Sequence, residues 1–195
     1  YEEYLNKIEE LGTSTNIMTL VPYGQIRQWV MGMEDRAPLQ SEIEEMKKVC
    51  QEAFVHGVVG VSLGLIYPPC VYSKSDELVE VLEVAAANNG FLVCHIRNES
   101  DSLLESLDEI ISIAVKAGCP LHISHLKVAG RTNWDKVKKA TEKITRAKDK
   151  LGLQITFDQY PYFAGSTVLS ALIPPWAHAG GTDSLIARLK DKETR

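Results

Sequence analysis

The chain has 195 residues, 45% of them hydrophobic and 24% charged, with a formal net charge of −5. That is enough for one sizeable domain, and the balance gives no basic run to favour nucleic acid. No apolar stretch approaches the roughly 20 residues of a membrane span, and no signal-peptide pattern opens the chain. Cys50, Cys70, Cys94 and Cys119 show no paired spacing, as expected of reduced thiols in a cytoplasmic protein.

The elements alternate along the chain. Residues 1–11 have helical periodicity, and 17–21 form a short apolar run that reads as a strand. Residues 40–56 form an amphipathic helix, with Ser41 as the expected N-cap and Glu44 completing a capping box. A continuous apolar strand follows at 58–66, then a helix at 75–89 stopped by Asn89-Gly90. Residues 91–95, 121–125 and 153–157 read as strands, separated by helices at 103–117 and 133–151. After Pro174-Pro175-Trp176 the pattern loosens until a terminal helix begins at Asp183.

Strand and helix thus repeat about five times, with the strand starts near 60, 91, 121 and 153 about thirty residues apart. Such alternation makes a parallel sheet covered by helices, either a barrel or an open doubly wound sheet. Neither GxGxxG nor GxxxxGK[ST] is present, and chemistry at consecutive strand ends favours the barrel. The expected fold is α/β, a partial (β/α)8 TIM barrel of about strands three to seven. Residues 1–195 would form part of one barrel domain, with 174–195 as a looser segment ending in a helix. The missing initial methionine and the charged close at Lys190-Asp191-Lys192-Glu193 suggest a segment of a longer protein.

Two histidines carry the strongest chemical signal. Cys94-His95-Ile96-Arg97 and Ser124-His125-Leu126-Lys127 lie thirty residues apart, each at a predicted strand end. Strand alternation would put His95 and Arg97 on one face, and His125 and Lys127 on one face with Ile123. His122 would point the other way, into the helix layer. The imidazoles are either zinc ligands or hydrogen-bonded structural residues. Arg97 and Lys127 either pair with acids such as Glu99 and Asp158 or meet an anionic ligand. Tyr67-Pro68-Pro69 either presents Tyr67 at the rim of a site or is a rigid turn with a packed tyrosine. The turn from Asp158 to Tyr162 leaves the same choice.

Four motifs occur in order: Gly64-Leu65-Ile66-Tyr67-Pro68-Pro69, His95-Ile96-Arg97-Asn98-Glu99, Ile123-Ser124-His125-Leu126-Lys127 and Asp158-Gln159-Tyr160-Pro161-Tyr162. Together they resemble the D-aminoacylase (N-acyl-D-amino-acid deacylase) group of the metal-dependent amidohydrolase superfamily, over residues 58–181. The resemblance implies a (β/α)8 barrel with a small β-sandwich and a zinc cofactor. It implies that His95 and His125 are the metal-binding histidines of barrel strands five and six. By the same resemblance Tyr67, Arg97, Lys127 and Tyr160 contact the substrate, a small N-acyl-D-amino acid. The group's first-strand His-x-His, its early metal-ligating cysteine and its general-base aspartate have no counterpart here, and Asp158 is not that base. Cys70 stands where relatives carry glycine. The segment alone is therefore expected to be inactive, with no catalytic base of its own. It is also expected to self-associate through open sheet edges, or to cover those edges with its terminal segments, and to bind neither nucleic acid nor membrane. The alternatives are a dihydroorotase- or hydantoinase-like cyclic amidase, and a non-catalytic carboxylate-binding barrel fragment.

Overall fold

The computed structural model describes residues 2–195. Its sheet has five strands: β1 (Leu20–Pro22), β2 (Gly60–Gly64), β3 (Phe91–His95), β4 (Leu121–Ile123) and β5 (Ile155–Phe157). All adjacent pairs are parallel, and their spatial order is their order in the chain. A doubly wound sheet reverses strand order at a switch point. This one never does, so it is an arc of a singly wound (β/α) barrel.

Helix α1 (Glu2–Leu11) precedes the sheet, and α2 (Tyr23–Met31) and α3 (Gln40–Val55) link β1 to β2. Helices α4 (Ser75–Ala87), α5 (Leu103–Ala117) and α6 (Lys136–Leu151) make the next crossovers, and α7 (Thr182–Lys190) closes the described chain. Residue 1 of the expected first helix lies outside the described residues. Among these residues no helix is long and apolar enough to cross a membrane.

The sequence pattern explains most of these elements. In α5, Leu103, Leu107, Ile110, Ala114 and Ala117 are buried at helical spacing, and Gly118 ends the helix in the left-handed conformation at φ 74°. Three details differ from expectation. Helix α3 starts one residue before Ser41, and it is Glu42, not Glu44, that accepts the Leu39 N–H at 2.7 Å. The expected strands at 58–66, 121–125 and 153–157 are shorter: β2 and β4 end early where the chain turns into the loops of the site, and β2 and β5 begin two residues late. Helix α2 has no counterpart in the sequence reading. It starts directly after Pro22, carries Gly24 in its first turn and buries Arg27 among its core positions, so its apolar period is faint.

One face of the sheet is roofed by helices. Val61 and Leu63 on β2, Leu92 and Cys94 on β3, and Leu121 and Ile123 on β4 are all buried there. The alternate residues Ser62, Val93, His95 and His122 are half-buried on the other face, which is the inner wall of the arc. His122 is therefore an inner-wall residue, not the helix-facing one its distance from His125 suggested. All four cysteines are free and buried, and burial holds their thiols above the usual range, Cys50 at about 12.

Candidate metal centre at the strand ends

The residues with chemical potential gather at the carboxyl ends of β2, β3, β4 and β5. At β2 the strand runs straight into a turn, where the Tyr67 N–H donates to the Gly64 carbonyl at 3.0 Å. A Cβ on Gly64 would stand 2.9 Å from Tyr67 Cδ2, so only glycine lets the tyrosine ring fold back over the strand end. The ring reaches His95, with centroids 5.2 Å apart. The Tyr67 hydroxyl shares a hydrogen bond of 2.7 Å with Thr167 Oγ1. The Pro68-Pro69 peptide bond in this loop is cis.

His95 is the last residue of β3 and faces the inner wall by simple alternation. His125 arrives differently. Strand β4 ends at Ile123, and His125 has φ +43°, a left-handed conformation that few residues other than glycine adopt. This turn breaks the strand's alternation. Ile123 points into the helix layer, yet the His125 ring meets His95, with Nε2 and Nδ1 2.9 Å apart and ring centroids at 4.6 Å.

Glu99 completes the group. Its Oε1 lies 3.1 Å from His125 Nδ1 and accepts from Lys127 Nζ at 2.6 Å. Donor atoms of His95, Glu99 and His125 all fall within 4.8 Å of one another. Lys127 Nζ also lies 2.9 Å from His125 Nδ1 and 5.5 Å from the Tyr160 ring centroid, a cation over an aromatic face. Burial is the main influence on His95; against the opposing pull of Glu99 it lowers the pKa and so favours the neutral imidazole. Its Nε2 is buried without a hydrogen-bond partner among the described residues. Two imidazoles and a carboxylate, with one ring nitrogen of His95 short of a partner, are a donor set suited to a zinc-like ion.

The predicted site residues thus divide. His95, His125, Lys127, Tyr67 and Tyr160 surround one spot. Arg97 lies outside it: its guanidinium grips Glu109 of α5 at 2.9 Å and donates to the carbonyls of Val71 at 2.8 Å and Ser73 at 3.0 Å. Neither Glu99 nor Asp158 is its partner. Arg97 follows the end of β3, where the chain has left the strand and its side chain turns toward the helix layer. Asp158 accepts from the His125 N–H at 2.5 Å, and its other oxygen lies 2.8 Å from His122 Nε2. The hydrogen bond to His122 is the first cause that holds the Asp158 carboxyl below its usual range, and the one from His125 is the second. Glu99 as a third donor and Thr167 as the partner of Tyr67 were not expected. Glu99 follows His95 by four residues, a spacing that hinted at proximity but reads equally as a counter-ion for lysine.

No family model matches the chain. It is 30% identical over 169 residues to a D-aminoacylase of Alcaligenes xylosoxydans xylosoxydans and 31% identical over 166 residues to an N-acyl-D-glutamate deacylase of the same organism. These matches cover 87% and 85% of this chain but 34% of each relative, so the chain spans about a third of the length of the curated relatives it matches. Among solved structures, an N-acyl-D-glutamate deacylase from Bordetella bronchiseptica, complexed with zinc and a phosphonate mimic of the tetrahedral intermediate, superposes with a TM-score of 0.79 at 30% identity. That match covers 83% of this chain and 34% of the other. A D-aminoacylase structure matches with a TM-score of 0.80 at 28% identity, over 84% of this chain and 34% of that one.

Proposed function

As a homologue, over a third of their length, of the D-aminoacylase and N-acyl-D-amino-acid deacylase group of amidohydrolases, this chain is, we propose, the part of a zinc-dependent hydrolase that holds the metal and grips the substrate's carboxylate. The reaction is hydrolysis of the amide bond of an N-acyl-D-amino acid. The observation that carries this reading is the His95–Glu99–His125 donor group beside Lys127 at the ends of adjacent parallel strands.

His95 and His125 would hold the ion, with Glu99 as a third ligand or as acceptor for His125 Nδ1–H. In the second arrangement Glu99 fixes the tautomer that turns Nε2 toward His95. A bound zinc would polarise the scissile carbonyl and lower the pKa of its water. Lys127 keeps an ammonium at the edge of the donor group and over Tyr160, where it can meet a substrate carboxylate. Tyr67 and Tyr160 line the approach. Arg97 acts as a tie between the Tyr67 loop and α5 rather than as a substrate contact. Asp158 is committed to His122 and the His125 main chain, which supports the reading that the proton-accepting base is supplied from outside these residues. The unpaired, buried cysteines favour a reducing compartment such as the cytoplasm.

In the intact protein, His125→Ala is expected to remove bound zinc and deacylase activity together, measured by elemental analysis and by amine release from an N-acyl-D-amino acid. Full zinc content in that variant would exclude the ligand role. Hydrolysis of cyclic amides in place of N-acyl-D-amino acids would move the protein to the cyclic amidases.

A further inference from the structure

The turn that aims His125 is held from the neighbouring strand. His125 sits at φ +43°, where a residue with a Cβ is strained. Such a conformation persists only where its surroundings fix it. Three hydrogen bonds do so here, and all involve Asp158. Its carboxylate accepts the His125 N–H at 2.5 Å, its carbonyl accepts the Leu126 N–H at 2.9 Å, and its own N–H donates to the Ile123 carbonyl at 3.2 Å.

Asp158 is itself held. Its second carboxylate oxygen lies 2.8 Å from His122 Nε2, and His122 Nδ1 lies 2.8 Å from Thr156 Oγ1. One neutral tautomer satisfies the whole chain: Nε2–H donates to Asp158, and Nδ1 accepts the Thr156 hydroxyl proton. Both nitrogens of His122 and both oxygens of Asp158 are then engaged, so the pair offers no vacant donor to an ion of its own. What it supports is the backbone beneath His125.

We propose that His122 and Asp158 form a positioning pair that fixes the left-handed turn at His125 and thereby aims its imidazole at His95. The consequence for metal binding rests on the reading of His125 as a ligand. The turn itself does not.

The test uses the intact protein with Asp158→Ala, His122→Phe and His122→Gln. Zinc affinity, the visible spectrum of the cobalt-substituted protein and hydrogen exchange of the segment 121–128 are measured for each. Asp158→Ala is expected to weaken zinc binding about tenfold to a hundredfold, as loss of a group that orients a ligand does. It should also perturb the cobalt bands and speed exchange across the turn. His122→Phe should act in the same direction and less. His122→Gln keeps an amide donor near the Nε2 position and should restore the wild-type spectrum and exchange. Wild-type affinity, spectrum and exchange in Asp158→Ala would overturn the proposal, as would a His122→Gln protein indistinguishable from His122→Phe. If the unmodified protein binds no zinc, the ligand reading fails and hydrogen exchange decides the turn alone. Faster exchange in Asp158→Ala then supports the pair, and unchanged exchange overturns it.

Discussion

Gly64 and Tyr67 illustrate how little space separates the site from the sheet. A methyl group at Gly64 would press on the Tyr67 ring at 2.9 Å, and the ring, not the strand, would give way. Gly64→Ala is therefore expected to push Tyr67 off His95 while leaving the proposed His95, Glu99 and His125 donor group in place. In the intact protein that should raise KM for an N-acyl-D-amino acid several-fold at unchanged zinc content; an unchanged KM would remove Tyr67 from the substrate's surroundings. At this scale the sequence was legible wherever the strand stayed regular. His95 ends a strand that runs as its apolar alternation predicts, so its face followed directly. His125 reached the same spot by another route. Alternation counted from Ile123 would have sent it into the helices, and the left-handed turn reversed that. The same turn explains the error at His122, whose face was inferred from a strand assumed to continue to residue 125. Arg97 was misplaced for a related reason, since β3 had already ended and Glu109 lay within reach on α5.

The helices and strands hold this geometry through contacts that can be tested one at a time. At the start of α3, Glu42 accepts from both terminal nitrogens of Arg36 and from the Leu39 N–H. The hydrogen bonds from Arg36, and then the one from Leu39, bring its pKa down to about 2. A carboxyl with a depressed folded-state pKa stabilises the fold above its unfolded value, near 4.3, and that stability is lost as pH falls toward about 2. Glu42→Gln should accordingly lower stability at neutral pH, with the difference from wild type shrinking between about pH 4 and pH 2 in urea titrations. A difference independent of pH would rule out the ionised carboxylate as its source. Arg27 presents a harsher case. It is fully buried on α2, with Nε 2.8 Å from Glu77 Oε1 and its terminal nitrogens on the carbonyls of Glu34 and Arg36. Tyr23 and Ser73 donate to the same Glu77 oxygen. Removing one partner strands a buried charge, so Arg27→Met should cost about 3–5 kcal/mol in denaturant unfolding. A loss under 1 kcal/mol would mean that the buried pair contributes little to the fold. This buried arginine is also why α2 escaped the sequence reading, because a charge at a core position erases the apolar period that marks a helix.

Across the whole molecule, strand order decides what the chain can do by itself. From β2 onward the order was legible because strands about thirty residues apart leave room for one helix each, and short crossovers place successive strands side by side. What the pattern could not supply is closure. Strand β5 pairs on one side only among the described residues, and a barrel of this kind closes with eight. The inner wall is consequently half-open, and β5 and the loop beyond it expose Phe157, Tyr162, Phe163 and Leu169. An open, apolar edge strand is a template for pairing with another chain. The 195-residue chain expressed alone is thus expected to self-associate, giving a light-scattering mass above 21.7 kDa. Phe157→Lys, which places a charge on the open strand, should shift it toward monomer. On the proposed reading the base is supplied from outside these residues, so the isolated chain should show no zinc-dependent deacylation. Each outcome has a clear opposite. A monodisperse monomer would mean that the edges are covered by the chain's own terminal segments, and measurable turnover would mean that five strands already hold a complete site.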